Sequence, residues 1–194
     1  MKKRFYQIRK KLKLFEPNYH FNLANLITFA NITCGMIAIY LVTQQQFAIA
    51  AVLAWMAGAF DIMDGKVARK YGLSTEFGVQ LDSFADFLSF VVMPSFFLFF
   101  ALEFDNNFIK LIVGLLFIWY VISGLRRLVS FNLANDAGEV TKYFTGVPTP
   151  LGAILLWILW LLYIGGIVTN IFVISLLVLT IAWSLNSKVK IPHL

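Results

Sequence analysis

Cysteine and histidine are nearly missing from this 194-residue chain: Cys34 stands alone, and His20 and His193 lie near opposite ends. A lone cysteine excludes an internal disulfide and any multi-cysteine zinc site, and two distant histidines argue against a histidine-built metal or nucleophile site. Charge is scarce as well, with 13% Asp, Glu, Lys and Arg against 60% hydrophobic residues. That balance is too apolar for a soluble domain of this length. Oxygen chemistry, from carboxylates, hydroxyls and amides, is what remains.

The net charge of +6 does not point to nucleic acid, because the basicity is an arm and not a face. Seven of the sixteen Lys and Arg fall in the first thirteen residues, and without them the formal charge drops to −1. Phe5, Ile8, Leu12 and Phe15 recur there at helical spacing, with basic residues filling the other side. Residues 1–17 are therefore expected to form an amphipathic helix on an anionic membrane surface, ended by Pro17. No short apolar core and small-residue cleavage site follows, which argues against a signal peptide.

Residues 18–194 read as one all-α, polytopic membrane domain. Six hydrophobic segments, Phe21 to Val42, Phe47 to Val67, Val79 to Leu102, Phe108 to Leu128, Pro148 to Gly165 and Val168 to Leu185, approach or exceed the about 17–25 residues that cross a bilayer. Their connections are short and include a motif loop over Ala68 to Gly78 and a tight turn at Gly165 and Gly166. The positive-inside rule gathers the arm, Lys66, Arg69, Lys70, Arg126, Arg127, Lys142, Lys188 and Lys190 on one side and leaves Lys110 on the other. This predicts a multi-pass protein of the cell (inner) membrane with both termini in the cytoplasm.

At the centre of the chain stand Asp61, Asp64, Asp82 and Asp86, at or inside the ends of two apolar stretches. Burying an ionised residue at such depth costs at least about 2.5–3.5 kcal/mol, so four together call for a function. On a helix, Asp61, Asp64, Gly65, Ala68 and Arg69 share one face, and Asp82 and Asp86, four apart, share another. Antiparallel neighbours would bring both faces to a single cleft. The four carboxylates would repel one another, so either some stay protonated or cations neutralise them. Hard oxygen ligands in this number suit Mg²⁺ or Mn²⁺, and two such ions with bridging carboxylates serve phosphoryl chemistry. Gly65, Ala68 and Gly78 remove bulk where a ligand approaches, and Arg69 offers a planar fork to a phosphate. Plain interfacial charges paired with Lys66, Arg69 and Lys70 would not all return to one face with small residues between them. In the first span Asn25, Thr28, Asn31 and Gly35 form a polar stripe of the kind that points into a bundle.

The pattern D-x-x-D-G-x-x-A-R-(x)8-G-x-x-x-D-x-x-x-D, complete from Asp61 to Asp86, resembles the signature of the CDP-alcohol phosphotransferase family of membrane enzymes. The resemblance implies transfer of a phosphatidyl-type group from a CDP-linked lipid to an alcohol, with release of CMP. It further implies that Asp61 and Asp82 bridge two divalent ions, that Asp64 completes the first and that Asp86 touches the second and acts as general base. Gly65, Ala68, Arg69, Thr75 and Gly78 are implied to contact the CDP part. Asn25 and Thr28 lie opposite them, in a first-span stretch that matches the family's except for Ala24 in place of a proline. Gly124, Arg127, Leu128, Phe131 and Asn132, then Gly146 to Pro150 and the closing Lys188 to His193, resemble the phosphatidylserine synthase branch. That branch implies CDP-diacylglycerol as donor, L-serine as acceptor, Arg127 as a bidentate clamp on a carboxylate or near the lipid phosphate, and a homodimer.

Other acceptors, glycerol 3-phosphate or an inositol phosphate, would need several basic residues for a second phosphate, and only Arg126, Arg127 and Lys142 are at hand. A zwitterionic acceptor fits better. The residues do not separate a diacyl donor from an ether-linked archaetidyl one. A small cation transporter would also place acids in membrane helices, but it has no need of the interleaved Gly, Ala and Arg.

Overall fold

The computed structural model describes residues 13–17, 19–136, 143–187 and 190–192. Of the expected amphipathic helix, residues 13–17 fall in this range, with a 3-10 turn at Lys13–Phe15, and residues 1–12 lie outside the described residues. The helices that follow are α1 (Leu23–Thr43), α2 (Phe47–Tyr71), α3 (Glu76–Asp86), α4 (Met93–Ala101), α5 (Asn107–Asp136), α6 (Thr149–Ile164) and α7 (Ile171–Leu185). A π-helical stretch, Phe87–Val92, joins α3 to α4, so Glu76–Ala101 is one continuous 26-residue span. A short antiparallel ribbon pairs β1 (Tyr143–Thr145) with β2 (Lys190–Pro192), Phe144 opposite Ile191.

Four of these helices, α1, α2, the third span and α5 over Asn107–Leu133, are long and apolar enough to cross a membrane. The fifth and sixth apolar segments become helices of 16 and 15 residues. At a rise of about 1.5 Å per residue they span roughly 22–24 Å, short of a hydrocarbon core of about 30 Å. The boundaries differ most around the acidic motif. The segment Ala68 to Gly78, expected as a connection, is helical except for residues 72–75, because α2 continues through Arg69 and Lys70 to Tyr71. Gly72, at φ 66°, ends it in the left-handed conformation that glycine adopts without strain.

The third span is the hub. It packs against α1, α2, α5 and α6 through its π stretch, and 44% of it is buried against 28% of each other long span. Its upper half feeds the larger core, where Val91, Leu98 and Leu102 meet Phe117, Tyr120, Leu156, Ile174 and Val178. A second core, between α1 and α2, is built from Ala38, Ala50, Ala51 and Ala54 under Met93 and Phe97. Small side chains let these two helices approach closely, which stands in for the hydrophobic driving force that lipid removes. The alternation of the chain returns the start of α1, the end of α2, the start of α3 and the end of α5 to the same end of the bundle.

Candidate active site

Two side-chain caps shape that end. Asn22, fully buried, accepts the Asn25 backbone N–H at 3.0 Å and so starts α1. Its amide nitrogen reaches the Leu73 carbonyl at 3.5 Å, tying the 72–75 connection to the first span. Thr75 starts α3 by accepting the Gly78 N–H at 3.0 Å. The reversal is therefore short and held at both sides, and it sets the last turns of α2 antiparallel to the first turns of α3.

The two acidic faces meet as a result. Asp61, Asp64 and Asp82 each place a carboxylate oxygen within 4.8 Å of the others. Asp86 lies beside this trio, within hydrogen-bonding reach of Asp61. Asp64 is 3% exposed, and its Oδ2 has no hydrogen-bond partner among the described residues. A buried carboxylate oxygen without a donor is costly, because water has been removed and nothing replaces it. A hard divalent cation would satisfy that oxygen and relieve the repulsion among the carboxylates, so the donor set fits Mg²⁺ or Mn²⁺. Asp86 is not one of the three whose oxygens lie within 4.8 Å of one another, and it joins them through its hydrogen bond with Asp61.

Beside the trio opens a cleft of about 190 Å³. Its walls include Asn25, Thr28, Gly65, Ala68, Arg69, Thr75 and Gly78, together with Asp64 and Asp82. The sequence did not single out Ala24, Leu73, Ser74 and Val79, which complete the walls. Gly78 is there of necessity: a Cβ would stand 3.0 Å from Asn25 Oδ1 and 3.2 Å from Thr75 Oγ1. Gly65 differs. A Cβ would meet only the Arg69 guanidinium, its Nη1 nearest at an ordinary 3.5 Å, so the protein itself leaves room for a methyl and the space belongs to the cleft. Asn25 donates its amide N–H to the His20 carbonyl at 2.9 Å, which fixes the rotamer and leaves Oδ1 beside Gly78. Thr28 donates to the Ala24 carbonyl at 3.2 Å and lies beside the Asp64 carboxylate.

Arg127 is not brought to this cleft. It is 7% exposed, its Nε donates to the Val147 carbonyl at 3.2 Å and its Nη2 to the Gly146 carbonyl at 3.5 Å, with the guanidinium 6.0 Å from the Phe131 ring centre. The fork expected to clamp a carboxylate is engaged with the backbone that leads into α6. Asn22 escaped the sequence reading although an Asn just ahead of an apolar run is an N-cap signal.

Comparison with known proteins agrees with this geometry. The sequence profile described as CDP-alcohol phosphatidyltransferase matches residues 21–183. The CDP-diacylglycerol–serine O-phosphatidyltransferase of Helicobacter pylori is 34% identical over 131 residues, 68% of this chain and 54% of that protein. The enzyme of the same name from Methanocaldococcus jannaschii is 31% identical over 172 residues, 88% of this chain and 73% of its own length. The archaetidylserine synthase of Methanothermobacter thermautotrophicus is 35% identical over 134 residues, 68% of this chain and 54% of that protein. The match thus spans about half the length of the first and third of these relatives.

Proposed function

Because the chain belongs to the CDP-alcohol phosphatidyltransferase family, we propose that it transfers the phosphatidyl group of CDP-diacylglycerol to the hydroxyl of L-serine, releasing CMP. The observation that carries this is the convergence of the carboxylate trio and the small-residue cleft at one end of the bundle. The relatives' names supply the acceptor and donor.

In this reading the CDP moiety occupies the cleft, with Gly65, Ala68 and Gly78 admitting it close to the backbone and Arg69 meeting a phosphate. Asn25, Thr28 and Thr75 line the remainder. Asp61, Asp64, Asp82 and Asp86 would hold two Mg²⁺ or Mn²⁺ ions, which would supply charge neutralisation at the diphosphate. The serine hydroxyl oxygen forms the new bond to the phosphorus that bears the diacylglycerol, the bond from that phosphorus to CMP breaks, and Asp86 takes the hydroxyl proton. Alignment of the two reactants on rigid helices contributes the rest, since orientation alone is worth several kcal/mol in well-placed systems, up to about 7–11. The 26-residue third span carries both Asp82 and Asp86 and is the most buried of the long helices. The reading also places all six apolar segments in the cell (inner) membrane with both termini cytoplasmic, and pairs two copies as a homodimer. CMP and serine then exchange with the cytosol at the cleft end.

The test is CMP release by the purified full chain with CDP-diacylglycerol, Mn²⁺ or Mg²⁺ and a panel of alcohols. Serine-dependent release supports the reading. Release that requires glycerol 3-phosphate or an inositol phosphate would reassign the acceptor, and no release with any alcohol would favour a cation transporter. The similarity to an archaetidylserine synthase makes an ether-linked CDP-archaeol the second donor to include.

A further inference from the structure

We propose that Ser89 is a positioning residue for the carboxylate cluster, acting through Asn31 on Asp61. The proposal rests on the reading of that cluster as the divalent-cation site. Asn31 is fully buried on α1 and does not line the cleft. Its Nδ2 donates to Asp61 Oδ1 at 3.4 Å, and its Oδ1 accepts the Ser89 hydroxyl at 2.5 Å. An ionised carboxylate only accepts, so the amide must turn its NH₂ group to Asp61 and its carbonyl to Ser89. The relay has one polarity, set by the carboxylate, and the hydroxyl at its far end completes it by donating to the amide oxygen.

Ser89 is 5% exposed and sits in the π stretch that begins one residue after Asp86. Such single-turn π segments are frequent at functional sites, where the extra residue redirects a side chain. This one is clamped from two sides. A Cβ on Gly35 of α1 would stand 3.3 Å from Leu88 Cδ2 and 3.4 Å from Ser89 Oγ, and a Cβ on Gly124 of α5 only 2.5 Å from Val91 Cγ1. The hydroxyl is thus held at a fixed place, and through Asn31 it fixes the rotation of the Asp61 carboxyl group beside those of Asp64 and Asp82. Hydrogen-bond partners of metal-ligating carboxylates act in this way.

Mn²⁺ binding to the EDTA-stripped full chain, read from the free-ion signal by electron paramagnetic resonance, tests the relay apart from turnover. Ser89→Ala should weaken Mn²⁺ binding about tenfold, the low end of the roughly 10–100-fold effect of such partners. Ser89→Thr, which keeps the hydroxyl, should bind as wild type, and Ser89→Ala should add nothing in an Asn31→Ala background, because the two act in series. Ser89→Cys, similar in size but a weak donor, replaces the alanine variant if that one is not recovered folded, with the same expected weakening. Wild-type affinity in Ser89→Ala or Ser89→Cys, or a full further loss in the Asn31→Ala background, overturns the proposal. Its failure is distinct from failure of the transferase reading, which shows instead as a wild-type chain that releases no CMP with any alcohol.

Discussion

Asp64→Asn isolates the conflict between stability and function at the cleft. Asp64 is 3% exposed, Oδ2 is unpartnered among the described residues, and an oxygen of Asp61 and one of Asp82 lie within 4.8 Å of its own. Two unit charges 4.8 Å apart repel by about 3.5 kcal/mol at an effective dielectric near 20. Asp82 is exposed and contributes less, and solvent at the open side of the cleft screens the remainder, so relief of about 1–2 kcal/mol is the working figure. In a chain of this size that corresponds to a rise of roughly 2–8 °C in melting temperature. The amide also brings a donor to the unpartnered carboxylate position of Asp64.

The prediction therefore has two opposite signs. Without metal, in EDTA, Asp64→Asn melts higher than wild type. With Mn²⁺, wild type is stabilised by mass action, about 2.7 kcal/mol at one hundred times the dissociation constant, and the variant gains much less and loses CMP release. Melting curves of the purified protein with and without Mn²⁺ measure both. A variant that melts lower than wild type in EDTA while keeping the full Mn²⁺ response would refute the view of Asp64 as a strained cation ligand.

Asp86→Asn should abolish CMP release while CDP-lipid binding, measured by nucleotide-dependent thermal protection, persists; near-normal turnover would remove the general-base assignment. Gly65→Val should fold, since the first added carbon meets only the Arg69 guanidinium, its Nη1 nearest at 3.5 Å, yet raise the KM for CDP-lipid at least about tenfold by filling the cleft; an unchanged KM would place the nucleotide elsewhere. Gly124→Ala should destabilise by about 1–3 kcal/mol through overpacking on Val91, and Val91→Ala in the same chain should recover part of it. If the single substitution is neutral in a melting experiment, the close approach of α5 to the π stretch is not what holds that turn.

What could be read from the sequence was what repeats locally. Asp61, Asp64, Gly65, Ala68 and Arg69 share a face because a helix returns every three to four residues, and a helix through Tyr71 realises that spacing directly. The end of α2 was misplaced by about four residues because hydrophobicity fades at Val67, whereas the backbone ends the helix at Gly72; solvent-facing Arg69 and Lys70 are good helix formers and extend it. The π stretch left no mark, since Phe87–Val92 is a uniformly apolar run apart from Ser89. Asn31 and Ser89 are 58 residues apart, and Arg127 meets a carbonyl 20 residues on, so neither pairing has any periodicity to betray it. Asn31 was legible as polar and inward-facing, but its partner was not, and the same sequence position could equally have lined the nucleotide cleft. The difference between those two roles is a rotation of one helix face by a single turn position, from Asn25 and Thr28, which reach the cleft, to Asn31, which reaches the back of the carboxylates. One polar stripe therefore serves two ends: its first two members line the cleft, and its third holds a carboxylate of the cluster.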